Sequence, residues 1–259
     1  MRFQLVAART ALAALILALL TAAAAIAGVR LGRFGFATGR LVMVPATALA
    51  LLALGFGLAW LKSAIGRNEG AAKRTGLAAL LGSLLFLWPV ADYVWQGATG
   101  LPVSDVTTAP EDAPQFVALA GARRPGDNPA AFDAARKIPY GGEQVTVAYG
   151  LHMWKNGLIT HPHTKLLPGS KSPQATVFWR SFEIVKALGW RIVGYDAKAG
   201  RIEAVAASFW FGQPADVVVR VRPSGDMGAR YDIRAQSRRG ENDHGFALGL
   251  VRAFKARAD

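Results

Sequence analysis

Residues 201–245 read RIEAVAASFWFGQPADVVVRVRPSGDMGARYDIRAQSRRGENDHG, and this stretch decides the fold. In Val217, Val219 and Val221, and again in Tyr231, Ile233 and Ala235, every second residue is apolar. Asp216, Arg220 and Arg222 alternate with the first set, and Arg230, Asp232 and Arg234 with the second. Strict alternation makes a strand with one face on a core and the other towards water. The stretch therefore predicts strands over 201–210, 215–222 and 229–237, joined by tight turns. A helix cap follows at Asn242 or Asp243. If the hairpin turns at 224–227, Arg220 lies opposite Asp232 as a cross-strand salt pair.

Outward from this meander, Trp190–Tyr195 reads as a further strand, with 196–200 as its turn. Before it, Phe178, Phe182, Val185 and Leu188 recur at three- and four-residue spacing, the apolar stripe of a helix. Ser172-Pro173 supplies that helix with a cap and a first-turn proline, and Gly189 ends it. Downstream, Phe246, Leu250 and Phe254 share one face of a last helix, and Arg252, Lys255 and Arg257 suit its C-terminal dipole. Val145, Val147 and Tyr149 alternate in a short strand over 143–149, and 132–136 reads as a turn of helix. The expectation for 143–259 is a soluble α+β domain, an antiparallel four- or five-stranded sheet packed by two helices. The segment 100–142 is rich in proline, which fixes φ and removes a donor. It reads as a tether or strap pinned to the domain by Phe116, Val117 and Leu119.

The first 99 residues differ in kind. Uncharged runs cover 10–29, 41–61 and 75–91, and Tyr93 and Trp95 continue the third past Asp92, for spans of about 10–29, 41–61 and 75–95. Crossing hydrocarbon takes roughly 20 apolar residues, so three spans are expected. Trp88, Tyr93 and Trp95 suit an aromatic belt at the interface. Arg2, Arg9, Lys62, Arg67, Lys73 and Arg74 flank one side of the spans, and Arg30, Arg33 and Arg40 the other. The positive-inside rule then leaves the N-terminus in the cytoplasm. It sends the C-terminal domain across the bacterial inner membrane, to the periplasm of a Gram-negative cell. Arg2, Arg9 and Ala25-Ile26-Ala27 also fit a cleaved export signal, and the domain would still lie outside.

The chain has 30 basic and 17 acidic residues, a net charge of +13. Through Thr99 there are nine basic and two acidic residues, which leaves 21 against 15 in the remainder. About half of the excess thus belongs to membrane-flanking segments, and no nucleic-acid motif accompanies it, so nucleic acid is not expected as a partner. The chain lacks cysteine, which excludes disulfides, thiol catalysis and thiolate-bound metals. It carries no phosphate-binding glycine loop, nucleophile elbow or paired-carboxylate signature.

Two clusters bear chemistry. Arg220, Arg222, Arg230 and Arg234 stand on the polar side of the sheet, followed by Arg238 and Arg239 beside Asp243. Guanidinium groups near a helix N-terminus suit a phosphate or carboxylate, while cross-strand ion pairing and capping by Asp243 explain the same residues structurally. The candidate anion patch comprises Arg220, Arg234, Arg238, Arg239 and Asp243. His152, His161 and His163 form the second cluster, a possible metal set. Pro162 lies between two of them, and no carboxylate occurs between Gln144 and Glu183 to complete a site.

Several short motifs occur in order. They are Asp105-Val-Thr-Thr, Pro114-Gln-Phe116, Ala187-Leu-Gly-Trp190, Arg201-Ile-Glu-Ala, Phe211 through Arg220, Ser237-Arg238-Arg239-Gly240 and Asp243-His-Gly245. In this the chain resembles the bacterial domain-of-unknown-function family 1499 from about Leu101 onwards. Asp216, Arg220, Ser237, Arg238, Gly240 and Asp243 match the family's motifs. The resemblance implies the fold and a location behind membrane spans or an export signal, and it brings no activity. The leading expectation is a non-enzymatic domain that binds an envelope partner or a small anionic ligand, with no cofactor. The rivals are a membrane-anchored metal-dependent hydrolase using the three histidines, and a scaffold subunit whose spans are the working part.

Overall fold

The computed structural model of the chain describes residues 2–64, 70–153, 173–224 and 228–258. The chain divides into two units, Met1–Trp95 with Phe209–Gly212, and Gln96–Ser208 with Gln213–Asp259.

The first unit is built on three helices, α1 (Arg2–Arg30), α2 (Phe36–Ala64) and α3 (Gly70–Thr99). Gln4–Arg30, Phe36–Lys62 and Lys73–Trp95 are long and apolar enough to cross a membrane. Small residues make the seam between the first two. Ala11, Ala18, Ala22 and Ala25 of α1 are buried, as are Ala46, Ala50 and Ala53 of α2. Alanine at three- and four-residue spacing lets two backbones approach closely, as helices in lipid require. Trp60 caps the seam against Ala7 and Ala8. The Thr21, Thr47 and Ser83 hydroxyls donate to carbonyls four residues back at 2.7–2.9 Å. Leu85, Trp88 and Trp95 remain exposed, as lipid-facing residues should.

The second unit contains β1 (Asp105–Thr107), β2 (Lys137–Tyr140), β3 (Glu143–Thr146), α4 (Val147–Met153), α5 (Pro173–Ala187), β4 (Arg191–Asp196), β5 (Arg201–Ala207), β6 (Pro214–Ser224), β7 (Gly228–Ser237) and α6 (Phe246–Ala258). Five strands form one antiparallel sheet in the order β1-β7-β6-β5-β4. Its inner face is the predicted alternating set, Val217, Val219, Val221, Tyr231, Ile233 and Ala235, all buried in one core with Phe178, Val185, Leu250 and Phe254. The Tyr231 and Phe254 rings meet edge to face at 5.3 Å. Arg220 lies opposite Asp232, the register expected from the turn.

Four expectations need correction. The fifth strand of the sheet is Asp105–Thr107, from the proline-rich segment, which pairs with β7. The alternation at 143–149 stops at Thr146, and Val147 and Tyr149 belong to α4. Residues 132–136 make an Asx turn rather than helix, with Asp133 Oδ1 accepting from the amides of Ala135 and Arg136 at 3.1 and 2.9 Å. Strand β5 ends at Ala207, three residues short of Trp210, because Gly212 (φ 64°) bends the chain back towards Pro214.

Candidate functional site

The outer face of the sheet is covered, not open to water as its polar residues suggested. The strap from Thr108 to Ala130 crosses it, and a small second core forms beneath, Phe116 and Leu119 on Val218. Val117, expected to help pin the strap, points outward instead. Prolines at 110, 114, 125 and 129 prevent the strap from forming a ladder of its own. Its buried backbone groups must still be paired, and side chains of the sheet pair them. Glu203 Oε1 accepts from the amides of Val117 and Ala118 at 3.0 and 3.1 Å, and Oε2 from that of Leu119 at 2.9 Å. Gln236 Nε2 donates to the Pro129 carbonyl at 2.9 Å. The polarity of this face answers the needs of the strap.

The arginines take part in the same arrangement. Arg234 is 0% exposed, where an open face was expected. Its Nε and Nη2 donate to the two oxygens of Asp105 at 2.9 and 2.7 Å. Nη1 and Nη2 also donate to the carbonyls of Pro114 and Ala130 at 3.2 and 2.9 Å. The guanidinium lies 4.7 Å from the Phe116 ring centre and 5.3 Å from that of Phe132. Asp216, fully buried, receives Arg238 at 2.9 Å on Oδ1 and Arg123 at 3.0 Å on Oδ2. Arg239 reaches Asp127 at 3.2 Å. Asp243 caps α6: its carboxylate accepts from the Ser237 hydroxyl at 2.6 Å and from the amides of Gly245, Phe246 and Ala247 at 2.8–3.1 Å. Burial pushes the Asp243 carboxyl up, against the pull of the Ser237 hydroxyl and those amides.

One part of the face is reachable from solvent. Asp232 Oδ2 accepts from Nη2 of Arg220 and of Arg222 at 3.0 and 2.7 Å. The same two guanidinium groups hold Asp112 on the strap, Arg220 with both carboxylate oxygens at 3.1–3.2 Å and Arg222 through Nη1. Asp112 is 59% exposed, and the arginine side chains are 20% and 29% exposed. Hydrogen bonds from Arg220, then Arg222, hold the Asp112 carboxyl below the usual carboxylate range. Arg230 stands opposite Arg222 in register and has no carboxylate partner among the described residues. Asp112 and Arg222 were missing from the candidate patch. An Asp beside Glu111 in a proline-rich segment gives no signal of the cation it meets 108 residues later.

His161, His163 and the His152 side chain lie outside the described residues. No group of three or more metal-ligating side chains occurs among the described residues.

Fold and site together define a protein with three candidate membrane helices followed by an α+β domain whose charged face is strapped. The family described as a protein of unknown function, DUF1499, matches residues 105–257, more than half of the chain, and the chain belongs to that family. No curated protein and no solved structure matches it.

Proposed function

We propose that this is a multi-pass protein of the bacterial inner membrane whose C-terminal domain, in the periplasm, binds an acidic envelope partner or a small anionic ligand. The observation that carries the reading is the clamp of Arg220 and Arg222 over Asp232. It already holds one exposed carboxylate, that of Asp112, and beside it stands Arg230, which has no carboxylate partner among the described residues. Planar guanidinium groups donate to carboxylate and phosphate alike in two-pronged geometry. Asp112 is more than half exposed, and an arriving carboxylate or phosphate offers the same two-pronged geometry, so the two compete for the clamp. Arg234 and Arg238 hold buried carboxylates and serve the fold. Arg239, half exposed on Asp127, follows the end of β7 that lies opposite Ala215, at the far end of the two strands from the clamp.

The test is titration of the full chain in nanodiscs with inorganic phosphate and with a poly-glutamate peptide, followed by calorimetry. Wild type binds at least one of them. Arg222→Gln and Arg230→Gln each weaken binding about tenfold, and Asp112→Asn tightens it. Absence of binding at millimolar probe in both wild type and Asp112→Asn overturns the reading.

A further inference from the structure

The β5–β6 connection presents Phe209, Trp210 and Phe211 in a row, and its ends are tied. The Ser208 amide donates to the Gln213 carbonyl at 2.9 Å, and the Gln213 amide to Ser208 Oγ at 2.9 Å. These two bonds close the loop at its neck. Phe209 is 80% exposed and Trp210 42% exposed, with their rings edge to face at 5.2 Å. Two large aromatics held out together on a short turn are an unpaired apolar surface.

The residues around the tip say what covers it. Phe209–Gly212 belongs to the unit of the three helices. Within that unit Arg30 Nε donates to the Trp210 carbonyl at 3.0 Å, and Arg30 Nη2 donates to the Phe209 carbonyl. The Phe211 ring meets Phe36 edge-on at 5.4 Å. Arg30 ends the first candidate span and Phe36 begins the second. Residues at the ends of spans lie where hydrocarbon gives way to headgroups, and there Trp and other amphipathic aromatics are enriched. Three crossings also bring the end of α3, with exposed Trp88, Tyr93 and Trp95, to the same side of the bilayer as Arg30 and Phe36. Arg30, Arg33 and Arg40 add cations at that level, suited to phospholipid phosphates.

We infer that Phe209 and Trp210 insert into the interfacial layer of the phospholipid bilayer beside the α1–α2 connection, so that this loop is a membrane-binding element in its own right. The inference is independent of the anion clamp.

The absence of cysteine makes the test clean. Phe209→Cys and Trp210→Cys carry a nitroxide in the full chain, reconstituted into vesicles of phosphatidylethanolamine and phosphatidylglycerol. Ala197→Cys, on the exposed β4–β5 turn, serves as the water-facing reference. Power saturation at 209 and 210 should show collisions with oxygen exceeding those with a nickel chelate, the reverse of the order at 197. Nickel-dominated collisions at both sites, as at 197, overturn the inference. Protection of both sites from oxygen and nickel alike also overturns it, because protein would then cover the tip.

Discussion

Arg234 shows how one residue changes meaning between sequence and structure. In the alternation of β7 it occupies a water-facing position, yet it is wholly buried, bonded to Asp105 and to two strap carbonyls. Removing one partner of such a pair leaves a charge without compensation, a loss of about 3–5 kcal/mol. Arg234→Met should therefore destabilise the domain by that order in urea unfolding. Arg234→Met with Asp105→Val should recover much of it, since two apolar groups leave no orphan charge. A double variant no better than the single one would show that the carbonyl and ring contacts, rather than Asp105, dominate. The pairing of Arg220 with Asp232 was legible because turn and alternation together set the register. The pairing of Arg234 with Asp105 was not, because the two residues are 129 positions apart and nothing local records their meeting.

At the scale of elements, most of the domain could be read directly. The stripe Phe178–Phe182–Val185 became α5, the Val and Tyr-Ile-Ala alternations became β6 and β7, and Asp243 capped α6. Errors arose where two periods fit one short run. Val145, Val147 and Tyr149 satisfy a strand pattern, but the Tyr149 amide donates to Thr146 Oγ1 at 3.2 Å, which begins a helix. Phe209–Phe211 have high β-propensity and form a turn all the same, since a glycine with positive φ follows them. Glycines at two turns give a graded expectation. Gly189 and Gly200 have φ values of 71° and 67°, but a Cβ meets nothing at 189 and lies 2.1 Å from the Val221 carbonyl oxygen at 200. Gly189→Ala should lose about 1 kcal/mol, the penalty of left-handed backbone alone. Gly200→Ala should lose clearly more, because β5 and β6 must part to admit the methyl group. Equal midpoints for the two variants in thermal unfolding would count against the close approach at 200.

For the molecule as a whole, the proposed orientation rests on charge, six Lys and Arg flanking one side of the candidate spans against three on the other. In a chain without cysteine, Ser224→Cys should react with a membrane-impermeant maleimide in cells whose outer membrane alone is permeabilised. Lys62→Cys should react only after the inner membrane is opened. The reverse pattern would put the domain in the cytoplasm and remove the envelope from its function.

The order of strands carries a further consequence. The first strand of the domain to be synthesised, β1, pairs with the last, β7, and so lies at the edge of a sheet that does not exist when it emerges. Until Ser237 has left the ribosome, the strap has no Glu203–Arg234–Gln236 surface to lie on, and its unpaired amides and carbonyls are held by water alone. Closing so long a loop is slow and comes late in folding. A nascent or C-terminally truncated chain therefore exposes the charged sheet face and a loose proline-rich arm together.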